Sequence, residues 1–241
     1  MAQNTSAAVM ARRTNKRPPH PLEAEFAAAG LDRYLLDDFP TPPWGGRAWC
    51  EHVVGPAALK NALVWEPTVN RGFLARGLGD YCGELVTSDI FGYVPDCRIF
   101  NFLDLVPGSM LAAPAFLPRR PEWVVTNPPF VRAELFIEAA FDVATVGIAM
   151  LCRMQITETV GRYKGIFERY AGRWAWSQFA ERLPMWEAKC ERRMNSASAY
   201  GWLTIWQQPP AAEFILARRH IPPTRAALER PGDYDAAVTV I

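Results

Sequence analysis

The residues Asn127-Pro128-Pro129-Phe130 directly follow an apolar run, Glu122–Thr126 (EWVVT), and carry the most specific chemistry in this 241-residue chain. An exocyclic amine on a nucleobase is a poor nucleophile, because its lone pair is delocalised into the ring. Two fixed acceptors, the Asn127 side-chain carbonyl and the backbone carbonyl of Pro128, can bind both of its hydrogens. That steers the nitrogen toward tetrahedral geometry and aims its lone pair at an electrophilic methyl. The prolines hold the loop rigid and contribute no competing N–H donor. Phe130 offers a flat face to a base, a contact worth ~1–3 kcal/mol. No metal or strong base is required. In isolation such a run is as readily an ordinary Pro-Pro turn with a buried Phe; its place after a fourth strand argues against that.

The elements that position this loop alternate. Asn61–Trp65, Glu84–Ser88, Arg98–Phe102, Glu122–Thr126 and Val143–Arg153 read as buried strands, and Trp174–Phe179 and Ala199–Gln207 as aromatic ones. Between them Gly72–Tyr81, Arg132–Phe141 and 157–170 read as helices, and Pro40–Gly46 as a rigid extended lead into a short helix from Arg47. Continuous apolar strands separated by helices predict an α/β fold with a parallel sheet covered on both faces. Ligands of such sheets sit at the carboxyl ends of the strands. The residues there are Glu66-Pro67-Thr68-Val69-Asn70-Arg71-Gly72, then Ser88-Asp89-Ile90, then Asn101-Phe102-Leu103-Asp104, then Asn127 to Phe130.

Composition sets outer bounds. Half of the residues are hydrophobic and 21% charged, which is globular rather than disordered. The formal net charge of +1 excludes a strongly basic nucleic-acid coat or an acidic tail protein. It averages unlike segments, however: residues 1–21 carry +4, residues 22–104 carry −6, and residues 151–200 carry +4. The last excess points to a polyanionic partner or to a solvated helix face. Five cysteines at least 15 residues apart, and three scattered histidines, give no metal-ligand spacing. Free thiols, no apolar signal segment and no run long enough to cross a bilayer predict a cytoplasmic protein without metal or membrane. The first 21 residues, with Arg12, Arg13, Lys16 and Arg17, read as a flexible basic arm. Residues 22–217 read as one catalytic domain, with a substrate-recognition region at about 153–198, and residues 218–241 as a C-terminal tail. The aromatic cluster Trp174, Trp176, Phe179, Trp186, Trp202 and Trp206 is expected mainly in the core.

Several motifs occur together and in order: TPPW (Thr41–Trp44), WEP (Trp65–Pro67), SDI (Ser88–Ile90), NFL (Asn101–Leu103) and TNPPF (Thr126–Phe130). VGRYKGIF (Val160–Phe167), ERLPM (Glu181–Met185) and SAYGWLTIW (Ser198–Trp206) follow. Through them the chain, from about Pro40 to Gln207, resembles the class I S-adenosylmethionine-dependent DNA adenine-N6 methyltransferases, particularly the small phage and prophage type. The resemblance implies a Rossmann-like, mostly parallel seven-stranded sheet, S-adenosylmethionine as cofactor and double-stranded DNA as partner. It assigns Thr41 and Pro43 to the N-terminal wall of the cofactor pocket, and Glu66, Pro67, Asn70 and Gly72 to the turn around the methionine portion. Asp89, with Ile90 beside it, would serve the ribose hydroxyls, Asn101 and Phe102 the adenine, and Asn127, Pro128, Pro129 and Phe130 the target base. In this motif order Arg162, Lys164, Arg169, Arg173, Arg182, Arg192 and Arg193 would contact phosphates.

Two positions depart from the family pattern. Its loop reads Glu-Pro-x-x-Gly-x-Gly, and the first glycine is here Asn70, the residue other than glycine that best tolerates positive φ. Its adenine contact is usually Asp, here Asn101, with Asp104 as the alternative in another register. These departures leave open a non-catalytic nucleic-acid-binding protein that kept the fold. The target motif alone also leaves open cytosine N4, an RNA base or a protein glutamine.

Overall fold

The computed structural model describes residues 20–32, 36–95, 97–105, 114–193, 196, 198–209 and 219–235. The four cations expected in the N-terminal arm lie outside them. His20, assigned to that arm, is buried against Asp38.

Seven strands form one sheet: β1 (Leu63–Glu66), β2 (Glu84–Thr87), β3 (Trp123–Thr126), β4 (Gly147–Arg153), β5 (Trp174–Phe179), β6 (Tyr200–Trp206) and β7 (Arg219–Ile221). Their order is β2-β1-β3-β4-β6-β5-β7. The pairs β1–β2, β1–β3, β3–β4 and β5–β7 are parallel, and β6 is antiparallel to both β4 and β5. Beside β2, a single parallel bridge joins Asp89 to Ile99. The strand expected over Arg98–Phe102 is thus reduced to one rung, because Asn101 turns the chain into a 3₁₀ turn at Phe102–Asp104. This is a Rossmann-like sheet with helices on both faces.

Alternation sorts the strand residues into two cores. Leu63 and Trp65 of β1, Val124 of β3 and Ile148 and Met150 of β4 face one layer; Val64, Trp123, Val125, Ala149 and Leu151 face the other. A short helix α1 (Glu23–Ala28) precedes the sheet. Helices α2 (Pro43–Trp49) and α3 (Phe73–Gly79) cover the second layer, and α4 (Ala133–Val143) covers the first. Helix α2 starts four residues before the expected Arg47, since Pro43 occupies the first helical position, where its missing N–H costs nothing. Helix α3 crosses α2 so closely that a Cβ on Gly77 would strike the Pro43 carbonyl. The expected 157–170 helix is a short α turn, α5 (Val160–Arg162), running into a π-helical stretch at Tyr163–Glu168. The expected strand from Val143 starts at Gly147, because α4 extends to Val143. No helix among the described residues is long and apolar enough to cross a membrane.

Residues 219–235 are not a free tail. They add β7 to the sheet edge and a last helix, α6 (Arg225–Leu228). Arg47 of α2, 2% exposed, donates to Asp233 at 2.7 Å, to Asp80 at 2.6 Å and to the Leu228 carbonyl at 2.9 Å. Removing one partner of a buried ion pair strands the other charge. Asp233→Ala should therefore cost about 3 kcal/mol in urea unfolding at neutral pH.

Candidate active site

A cavity of about 250 Å3 opens at the carboxyl ends of β1, β2 and β3. Chain connections leave β1 toward β2 on one side and β3 lies on the other, so the cavity sits at the topological switch point of the sheet. Four loops and the stretches Gly30–Asp32 and Leu36–Thr41 wall it.

The loop after β1 is held by its backbone. Asn70 adopts φ 51° and Gly72 φ 76°, so the asparagine takes the left-handed conformation that it tolerates best among residues other than glycine. Its N–H donates to an Asp89 oxygen at 2.8 Å and its side-chain amide to Asp38 at 2.7 Å, which turns that side chain toward the N-terminal segment. Asp89, at the end of β2, also accepts from the Phe91 N–H at 3.1 Å. Asn101 caps the following 3₁₀ turn: its carbonyl accepts from Leu103 N–H at 3.3 Å, and its amide donates to the exposed Asp104 at 2.7 Å.

In the loop after β3, the Asn127 amide donates to the Phe39 carbonyl at 2.8 Å. A carbonyl only accepts, so the Asn127 nitrogen must face Phe39 and its oxygen must face away. That oxygen is buried and has no partner. Thr68 donates to the Asn127 backbone carbonyl at 3.1 Å and joins the first and third loops. Asp37 accepts from the Phe130 N–H at 2.8 Å. Two further buried polar atoms on the cavity wall lack partners, Thr41 Oγ1 and Glu66 Oε2.

The predicted residues Thr41, Glu66, Pro67, Asn70, Asp89, Ile90, Asn101, Phe102, Asn127 and Pro129 all line this one cavity. Pro43, Gly72, Pro128 and Phe130 adjoin lining residues in the chain without lining the cavity themselves. Phe130 is not an open clamp: the Arg153 guanidinium lies 3.9 Å from its ring centroid, and Phe39 and Tyr200 pack beside it. The sequence reading overlooked Asp37, Phe39, Tyr93, Arg132 and Phe136. The acidic pair Asp37-Asp38 just before Thr41 was the available signal.

The basic residues divide. Lys164, Arg192 and Arg193 are exposed. Arg162 pairs with Glu134 and Arg192 with Glu229, while Arg182 donates to the Ser196 carbonyl. Arg169 pairs with Glu138 farther down α4. Arg173 is corrected: it stacks on Phe141 and Tyr170 and donates to the Gln207 carbonyl, at the amino end of the sheet and away from the cavity. It sits there because it precedes β5, which runs parallel to β4. Of the aromatic cluster, Trp176, Phe179 and Trp202 are buried and Trp174 and Trp206 partly so, whereas Trp186 is exposed.

No family model matches the chain, and no curated protein matches it. Solved structures resemble it in fold. The methyltransferase subunit of a type I restriction-modification system from Streptococcus thermophilus shares 11% identity over 84% of this chain and 53% of its own, with a TM-score of 0.49. A candidate hemolysin from Lactococcus lactis shares 10% over 73% and 91%, TM-score 0.46. A dimethyladenosine transferase from Plasmodium falciparum shares 9% over 72% and 62%, TM-score 0.43. The chain spans about half the length of the first of these.

Two enclosed carboxyl groups give the cavity its electrostatics. Burial, and then the neighbouring Asp89, push Glu66 well above the usual carboxylate range. Burial also pushes Asp89 up to about 7, against the pull of the Asn70, Phe91 and Ile90 N–H groups. Both bind protons more tightly folded than unfolded, so their contribution to stability is complete below about pH 4; that of Asp89 is lost as pH rises through 7, and that of Glu66 is lost as pH rises above the usual carboxylate range. Glu66→Gln keeps the shape and removes the charge. It should leave the melting temperature unchanged near pH 4 and raise it at pH 8 by about 2–4 °C, on the order of 1 kcal/mol.

Proposed function

We propose that the protein transfers the methyl group of S-adenosylmethionine to the exocyclic N6 amine of an adenine flipped out of double-stranded DNA. The observation that carries this reading is the Asn127 side-chain oxygen, buried, unpartnered and fixed in orientation by Phe39. A buried acceptor without a donor costs about 1–3 kcal/mol, and an incoming N–H recovers it. The Pro128 carbonyl beside it supplies the second acceptor of the pair. Together they hold an amine by both hydrogens and leave its lone pair directed into the cavity.

The cavity wall fits the cofactor. Glu66 and Asp89 present carboxyl groups in a low-dielectric enclosure, which favours a cationic ligand. S-adenosylmethionine supplies a methyl group on a positively charged sulfonium. Glu66, Thr41 and the turn at Asn70–Gly72 would hold its methionine portion, Asp89 its ribose diol, and Phe102 and Asn101 its adenine. Because the acids take up protons in the free protein, a cation should bind more tightly as pH rises from 6 to 8, with proton release on binding. Calorimetry in buffers of different ionisation heat measures that release, and no binding at millimolar cofactor would favour a non-catalytic protein. Exposed Lys164, Arg192 and Arg193, with Arg162 and Arg182, are the phosphate contacts on this reading. Flipping costs a few kcal/mol, which those contacts and the base pocket must offset.

The decisive experiment expresses the protein in a host lacking adenine methylation and maps modified bases in its DNA and RNA. N6-methyladenine at a fixed DNA sequence is expected. N4-methylcytosine, or modification confined to RNA or to protein glutamine, would reassign the target. Asn127→Ala should lower methyl transfer by at least about 10²-fold, the scale for losing one preorganised polar group, while cofactor binding and melting temperature stay near wild type.

A further inference from the structure

Methylating an amine leaves a surplus proton, and the cavity holds several carboxyl groups that could take it. Resting on the adenine-amine reading above, we infer that Asp37 is the catalytic proton acceptor. The amine lone pair attacks the methyl carbon, the carbon–sulfur bond breaks, and its electron pair returns to sulfur as a neutral thioether. The nitrogen then carries a positive charge and sheds one proton, which Asp37 receives and passes to water.

Placement supports this assignment. Asp37 lines the same cavity as Asn127 and Pro129, and its carboxylate accepts the Phe130 N–H at 2.8 Å. It therefore stands against the loop that holds the amine. Its backbone is forced to φ 48°, an uncommon conformation for a residue with a side chain. The Phe39 N–H bonds back to the Asp37 carbonyl at 2.7 Å and fixes that turn. Strain of this kind persists where the surroundings over-determine it, often at reacting sites. Asp37 is half-buried, so it reaches both cavity and solvent.

The other carboxyl groups are less suited. Asp38 is 2% exposed and is committed to His20 at 2.8 Å, to Arg71 at 2.5 and 2.8 Å, and to the Asn70 amide at 2.7 Å. Glu66 is 1% exposed at the end of β1, cut off from the solvent that must finally take the proton. Asp89 faces the loop after β1, across the cavity from the target loop. Asp32 is exposed at the rim. Tyr200 lies within electrostatic reach of Asp37, Arg153 packs on the nearby Phe39 ring, Arg132 lines the same cavity, and the adjacent Asp38 is paired with His20 and Arg71.

Asp37→Asn separates chemistry from anchoring, because the amide oxygen still accepts from Phe130 N–H. Single-turnover methyl transfer to an adenine-containing duplex is expected to fall by about 10²-fold in Asp37→Asn, the lower end for a lost proton acceptor. Cofactor affinity, duplex affinity and melting temperature should remain at wild-type values. Carbon-13 NMR of the Asp37 carboxyl, assigned by its loss in the variant, should show it ionised at neutral pH in the wild-type protein. An Asp37→Asn enzyme within about twofold of wild type, well below the range for general-base loss, would overturn the inference. So would an Asp37 carboxyl still protonated at neutral pH, or a defect confined to Asp37→Ala. A wild-type protein that methylates no amine overturns the reading of the site itself, and the inference with it.

Discussion

Unpaired buried oxygen is the constraint around which this molecule is arranged. Five buried side-chain polar atoms among the described residues lack a partner, and three of them, on Thr41, Glu66 and Asn127, look into one cavity. Each costs about 1–3 kcal/mol when left unsatisfied. A fold with a typical margin of only 5–15 kcal/mol holds such a cluster only where the surrounding structure is strongly determined. The parallel strands provide that determination. Leu63, Trp65, Val124, Ile148 and Met150 fill one layer, and Trp49, Val64, Trp123, Val125 and Leu151 the other. The loops that leave these strands are thereby fixed at their roots, and polar groups can be left open at their tips.

The N-terminal segment completes the arrangement. Asp38 gathers His20, Asn70 and Arg71 into one buried knot, and so ties the segment to the loop after β1. Phe39 and Asp37 then reach the loop after β3 through one carbonyl and one carboxylate. Thr68 closes the circuit between the two loops. The orientation of the Asn127 carboxamide is a product of this circuit: with Phe39 taking the nitrogen, only the oxygen is left for a ligand.

Much of this was legible in the sequence where local pattern and burial agree. The stretches expected as strands at Asn61–Trp65, Glu84–Ser88, Glu122–Thr126 and Val143–Arg153 each contain one, although Glu84–Thr87 is half polar and partly exposed. Asn70 was readable as a left-handed position because it stands where the resembled loop pattern has glycine and tolerates positive φ best among the other residues. The first turn of α2, ahead of Arg47, was not legible, because Pro-Trp-Gly-Gly has poor helix propensity and is helical through the burial of Trp44 and Trp49. The third strand shortened to a bridge because the Asn101 side chain competes for the backbone at its end. The 219–235 segment looks like a polar tail until Asp233 meets Arg47, 186 positions away. Asp37 and Phe39 escaped notice for the same reason, since their partners in the target loop lie about 90 positions downstream. Contacts of that range leave no periodicity to read.

Phe130 shows what a motif alone conceals. Read locally, it is an aromatic plate waiting for a base. In the fold the Arg153 guanidinium covers one face at 3.9 Å and is steered by an Nε bond to the Tyr200 hydroxyl at 3.2 Å, while Phe39 leans on the ring at 52°. A guanidinium is flat and weakly hydrated, so it occupies an aromatic face much as a base would. A base that stacks on that face has to displace it. Arg153 is the last residue of β4, whose seven-residue ladder with β6 fixes its backbone, and Tyr200 and the rings of Phe39 and Phe130 hold its side chain in place.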